Sequence, residues 1–101
     1  MMEIVWDDGK TTFHRHVVLR GYCPCAVCQG HDGPVRWVEG VDALDDAALA
    51  LNTLDPQGSY AVRLSFADGH ATGIYTFEFL RDLGPLYDLP DDTLRTQTFA
   101  R

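Results

Sequence analysis

Three cysteines fall within Cys23-Pro24-Cys25-Ala26-Val27-Cys28, and they are the only cysteines of the chain. An odd number cannot all pair as disulfides within one molecule. Folded as a short loop, a C-x-C-x2-C run turns three thiolates toward one point, and Pro24 restricts φ and helps to hold that turn. Thiolates select zinc, Cu(I) or iron–sulfur clusters. A closed zinc site takes a fourth ligand, and three cysteines with one histidine form a standard set.

The chain has 4 histidines to supply that ligand. His31 follows Cys28 closely, giving a compact C-x-C-x2-C-x2-H. His70 lies far downstream but directly after Asp68-Gly69, at the tip of an expected hairpin. Spacing alone leaves these two open. His14 and His16 share one face of a strand or its end and read as solvated surface groups. A rival chemistry for the thiols is redox, since Cys25-Ala26-Val27-Cys28 is formally C-x-x-C. A thioredoxin-type pair opens a helix after a strand, however, whereas this one is expected to leave a helix and enter a Gly-rich loop.

The elements that must position these residues come from a repeat. "IVWDDGKTTFHRHVVLRGY", starting at Ile4, resembles "RLSFADGHATGIYTFEFLRDL", starting at Arg63. Trp6 aligns with Phe66, Asp8 with Asp68, Gly9 with Gly69 and Thr12 with Thr72. After a one-residue step, Phe13 aligns with Ile74, Leu19 with Leu80 and Arg20 with Arg81. Asp-Gly between alternating apolar runs is a strong hairpin signal, because the turn needs positive φ. Each unit therefore reads as strand, tight turn, strand and short helix. Lys10 takes the place in the first unit that His70 holds in the second.

Between the units, "QGHDGP" (29–34) reads as a loop. The stretch "DALDDAALALNTLDPQG" admits two readings. Asp42 could cap a helix with Leu44, Ala47, Ala48 and Leu51 on one face; the preferred reading is a strand over about 48–54 that turns at Pro56-Gln57-Gly58. Tyr60, Val62, Leu64 and Phe66 alternate with Ala61, Arg63, Ser65 and Ala67, which predicts the next strand. A second helix is expected from Thr76 to Leu83, stopped by Gly84-Pro85. The tail is polar apart from Leu94 and Phe99 and is expected to pack loosely or fray.

The chain has 101 residues, of which 46% are hydrophobic, so one folded domain (1–101) is expected. Its net charge of −7 opposes binding to nucleic acid or to an anionic membrane, both of which need Lys and Arg. No apolar run approaches a membrane span, and "MMEIVWDD" lacks the marks of a signal peptide. The expected compartment is the cytoplasm, where thiols stay reduced.

"VWDDGKTTFHRHVVLRGYCPCAVC" and "SFADGHATGIYTFEFL" together resemble the N-terminal domain of γ-butyrobetaine hydroxylase and the small standalone bacterial proteins named after it. The resemblance runs from about Ile4 to Leu83. It rests on the aromatic-x-Asp-Gly hairpin, the Leu-Arg helix end, the cysteine cluster and the late Asp-Gly-His. It implies a structural zinc held by Cys23, Cys25, Cys28 and His70. Two departures matter: Gly21 stands where the family often has an acid, and standalone relatives do not all keep the cysteines. Related domains also occur joined to P-loop ATPases of iron–sulfur assembly, which keeps iron in play.

The hydroxylase's chemistry belongs to a separate, larger domain whose iron needs two histidines and a carboxylate. This chain has no His-x-Asp motif, P-loop or G-x-G-x-x-G. Asp7 with Asp8, and Asp91 with Asp92, read as surface charges. The expectation is an α+β domain with a small, mainly antiparallel sheet and two short helices, built from two related units braced by a metal. Its expected role is a non-catalytic zinc-binding interaction domain with a protein partner or a second copy. The alternatives are an accessory protein holding iron or an iron–sulfur cluster, and a cysteine redox module.

Overall fold

The computed structural model describes residues 1–30 and 33–99. Strand β1 (Met2–Val5) turns back into β2 (Thr11–His14) and leads to helix α1 (His16–Gly21). One-turn helix α2 (Ala26–Gln29) and the short strand β3 (Val35–Arg36) follow. After a 3-10 turn at Val41–Ala43 come α3 (Asp46–Leu49), β4 (Leu51–Gln57) and β5 (Ala61–Phe66). The second unit closes with β6 (Gly73–Thr76) and α4 (Phe77–Leu83). A 3-10 turn at Gly84–Asp88, α5 (Asp91–Leu94) and β7 (Thr98–Phe99) complete the chain. The architecture is α+β, with all strands antiparallel: β1 with β2, β3 with β7, and a sheet in the order β4-β5-β6.

The two hairpins repeat bond for bond. Trp6 N–H donates to Lys10 O at 2.8 Å, and Phe66 N–H donates to His70 O at 2.8 Å. Asp8 Oδ1 accepts the Lys10 N–H at 3.1 Å, and Asp68 Oδ1 accepts the His70 N–H at 3.0 Å. Gly9 and Gly69 carry φ of 86° and 90°, which side chains of L-residues rarely adopt. Thr76 caps α4 by accepting the Phe79 N–H at 3.1 Å. The units then lock reciprocally: Arg20 of α1 faces Asp68, and Arg81 of α4 faces Asp8. One apolar cluster lies between them, with Leu19, Tyr22, Leu64, Phe66, Tyr75, Leu80 and Leu83 almost wholly buried.

The ambiguous middle resolves as both readings in sequence. Asp45, rather than Asp42, caps α3 by accepting the Ala48 N–H at 2.8 Å. The strand then starts at Leu51 and runs through Pro56 to Gln57, three residues beyond the expected end. Proline is tolerated because β4 is an edge strand. The chain turns at 58–60, and Tyr60 is exposed rather than part of β5. Gly84-Pro85 does not stop the helical path outright but tightens it into a 3-10 turn.

The tail is docked, not frayed. Leu94 is buried, its carbonyl accepts the Tyr22 hydroxyl, and Gln97 N–H donates to the same hydroxyl oxygen at 3.2 Å. Phe99 packs edge-on against Tyr22 and Phe79, each at 5.3–5.4 Å between ring centroids. Its apolar side chains were too sparse to reveal these partners, which lie in other parts of the chain.

Candidate metal centre

Cys23 leaves the end of α1, Cys25 immediately precedes α2, and Cys28 lies within that turn, whose chain returns to Cys25: its carbonyl accepts the Cys28 and Gln29 N–H groups at 3.1 and 3.0 Å. The C-x-x-C pair thus opens a one-turn helix, with Cys25 just before its first residue and Cys28 within it, where a Gly-rich loop was expected. The turn is pinned by Gln29, whose buried amide donates to Cys23 O at 3.0 Å and to Arg36 O at 2.7 Å. Its Oε1 accepts the Arg36 N–H at 3.0 Å. The hairpin of unit two brings His70 to this loop. Its Nε2 lies 3.1, 3.8 and 3.6 Å from the Sγ atoms of Cys23, Cys25 and Cys28.

The four donor atoms all lie within 4.8 Å of one another. Tetrahedral bonds of the usual zinc–sulfur and zinc–nitrogen lengths separate neighbouring ligand atoms by about 3.6–3.8 Å, so the spacing suits a metal ion. Cys23 and Cys25 are buried, while Cys28 and His70 are partly open. Burial pushes the Cys23 and Cys28 thiols up, and it keeps His70 below its ordinary value and neutral, as a ligand must be. Burial also opposes ionisation of Cys25, but hydrogen bonds from the Thr72 hydroxyl and from Cys28 outweigh it. Thiols held together in a desolvated pocket resist ionising one by one, and a cation relieves that cost.

Arg20 stands behind the group. Its Nη1 donates to Cys28 Sγ at 3.7 Å, and its Nε lies 3.5 Å from Asp68 Oδ2, an ion-pair distance without hydrogen-bond alignment. Gly73 makes room in front: a Cβ there would meet Cys23 Sγ at 2.8 Å. Sequence reasoning missed Gln29, Arg20 and Gly73 as parts of this site. The repeat offered a hint for one of them, since Arg20 and Arg81 align.

Among the sequence candidates, Cys23, Cys25, Cys28 and His70 are brought together, and His31 lies outside the described residues. His14 and His16 do not join the group, and neither is a solvated surface residue. His14 is buried with its Nε2 2.8 Å from Thr12 Oγ1, and His16 Nδ1 accepts the Leu51 N–H at 3.3 Å. His14 ends the short strand β2 and His16 starts helix α1, and only the packed structure reveals which way each turns. Asp7, Asp8 and Asp92 are exposed, and the Asp91 side chain lies outside what is described. No described helix is long and apolar enough to cross a membrane.

Gly21, which stands in place of the family's common acid, has its own reason here. A Cβ at this position would collide with the Trp37 ring, which lies against the end of α1 and meets Tyr22 edge-on at 5.3 Å.

The sequence model of the family described as gamma-butyrobetaine hydroxylase-like, N-terminal, matches residues 1–81. No curated protein matches. The chain is similar to a crystal structure of a protein of unknown function from Acidithiobacillus ferrooxidans, assigned to the DUF971 family. The identity is 38% over 81% of this chain and 76% of that one, with a TM-score of 0.59.

Proposed function

The chain belongs to the gamma-butyrobetaine hydroxylase-like N-terminal family, and from that premise we propose that it is a non-catalytic, metal-braced protein-interaction domain. Cys23, Cys25, Cys28 and His70 hold one ion, with zinc the first choice. The observation that carries this reading is the meeting of four soft or borderline donors, three from the end of unit one and one from the hairpin of unit two, within 4.8 Å. A cubane cluster places its ligands on separate irons and spreads them farther, so the spacing favours a single ion over an iron–sulfur cluster. Structural zinc in small domains contributes about 10–16 kcal/mol of apparent binding energy, comparable with a whole domain's stability.

A single iron in the same four ligands is the second reading, supported by the same spacing. A redox role is the third reading: Cys25 is the one thiol held below its ordinary value, as a reactive thiolate would be, but all three sulfurs converge on His70 Nε2 within 3.8 Å, which a dithiol pair does not require. The proposed setting is a reducing compartment such as the cytoplasm, where such thiolates stay free to bind metal. Elemental analysis and the visible spectrum of protein purified without added metal test the reading. Stoichiometric metal with no visible band supports zinc; a charge-transfer band with sulfide points to a cluster, and without sulfide to a single iron. Absence of metal together with a reversible disulfide would replace the reading with redox chemistry.

A further inference from the structure

The repeat is incomplete in one respect. In unit two, β5 is flanked by β6 on one side and by β4 on the other. In unit one, β1 takes the place of β5 and has β2 beside it, but its other edge has no strand among the described residues. Because Trp6 N–H turns toward β2, alternation of the ladder leaves the backbone groups of Glu3, Val5 and Asp7 facing that open edge. Their counterparts in unit two are Arg63, Ser65 and Ala67, all turned toward the segment that carries β4.

What fills the second unit's edge is known residue by residue. Ala67 N–H donates to Ala50 O at 2.8 Å, and Asp68 N–H donates to Ala48 O at 3.1 Å. Leu51 N–H reaches His16, the first residue of α1. In unit one the matching N–H groups belong to Asp7 and Asp8, and neither has a backbone acceptor among the described residues. The residue matching His16 is Phe77, the first of α4. At that spot lies a cleft of about 490 Å³, lined by Ile4, Val5, Trp6, Asp7, Asp8, Phe77 and Arg81. Val5 is 70% exposed and Phe77 39%.

We infer that the open edge of β1, with the Trp6–Phe77 cleft at its end, is the docking site for an extended segment of a partner protein. That segment carries a small apolar stretch for the cleft and a basic residue opposite Glu3. The internal copy sets both requirements. The stretch that fills unit two's edge is Ala48-Leu49-Ala50-Leu51, and Arg63 there faces Asp55 across the ladder, Nη2 to Oδ2 at 3.3 Å. In unit one the sign at this position is reversed, since Glu3 replaces Arg63. A chain with net charge −7 and the acids Glu3 and Asp7 along the edge attracts a basic segment, while Asp8 beside them is already paired with Arg81. A second copy is the poorer occupant, because β1 against β1 would place these acids face to face. The inference deepens the interaction-domain reading and rests on it, but not on which metal is bound.

The test uses the full chain, metal retained, and two synthetic peptides. One has the sequence of residues 48–57, and the other is the same with Asp55→Lys. The expected result is saturable binding of the Lys peptide, read by amide shifts at Val5, Asp7 and Asp8 and by the Trp6 indole. The Asp peptide should bind about two- to fivefold more weakly, the range of one cross-strand charge pair. Glu3→Lys should invert that preference, and Val5→Pro, which removes an outward N–H, should weaken both peptides about tenfold. Should Val5→Pro fail to fold, Phe77→Lys serves in its place, since it closes the cleft to a basic segment. Unchanged metal content in Glu3→Lys and Val5→Pro or Phe77→Lys separates this inference from the metal reading. No saturable shifts up to about 1 mM, shifts at Ala67 and Asp68 instead, or a homodimer that Val5→Pro dissociates would each overturn it.

Discussion

The Sγ atom of Cys23 and the Nε2 atom of His70 stand 3.1 Å apart, although 47 residues separate them along the chain. One belongs to the end of the first strand-turn-strand-helix unit, the other to the hairpin tip of the second. An ion between them closes a long loop at a place where the units otherwise meet through Arg20 and Asp68. Long closed loops gain most from a clip of this kind.

His70→Ala is therefore expected to lose bound metal, while His31→Ala keeps it. Competition against a chromophoric zinc chelator measures both. Retained affinity in His70→Ala with loss in His31→Ala would mean that the compact local spacing supplies the fourth ligand.

Gly73→Ala tests the fit from the opposite side. The added methyl would stand 2.8 Å from Cys23 Sγ and 2.8 Å from Tyr75 Cε1, and Tyr75 is fully buried and cannot move aside. Overpacking of this type costs about 1–3 kcal/mol. Chemical denaturation should show that loss, together with weaker metal binding. A variant as stable and as metal-tight as the parent would show that the pocket around Cys23 is looser than described.

The two reciprocal ion pairs should differ in worth. Arg20 and Asp68 have side chains only 13% and 18% exposed, whereas Arg81 and Asp8 are 36% and 49% exposed. Arg20→Ala also strips a donor from Cys28, so it should cost about 2 kcal/mol and lower metal affinity about tenfold or more. Arg81→Ala should leave metal affinity unchanged and cost less stability, losing mainly its contact over the Trp6 ring at 5.0 Å. Equal losses of affinity in both variants would refute a special place for Arg20.

How much of this was written in the sequence depends on how local each cause is. The Asp-Gly hairpins were legible because positive φ and the Asp side chain act within four residues. The cysteines were legible because their chemistry has few uses, and His70 was singled out by family resemblance more than by spacing. The strand was expected as far as residue 54, but its continuation through Asp55, Pro56 and Gln57 was not legible, since Pro56 looks like a strand end until the strand is known to be an edge. Nor could the tail be read: Leu94 and Phe99 are anchored by Tyr22 and Phe79, contacts no periodicity announces. Gln29 looked like a loop residue because its role is to bond backbone groups of Cys23 and Arg36.

Buried His14 sets an acid limit. Its Nδ1 has no hydrogen-bond partner among the described residues, and burial holds its pKa below the ordinary value near 6.5. The unfolded chain then binds more protons, so the stability His14 contributes is complete above about pH 6.5 and is lost as pH falls toward the depressed folded value. His16 shifts in the same direction for the same first cause. Urea unfolding of metal-stripped protein at several pH values should show this slope, and His14→Asn should flatten it. An identical slope in the variant would assign the acid sensitivity elsewhere.

X-ray absorption at the metal edge, on protein purified without added metal, tests the central claim most directly. The account predicts one ion per chain with three sulfurs at about 2.3 Å and one nitrogen at about 2.0–2.1 Å, and no second metal nearby. A metal–metal distance in the scattering, a shell with fewer than three sulfurs, or no stoichiometric metal at all would contradict it.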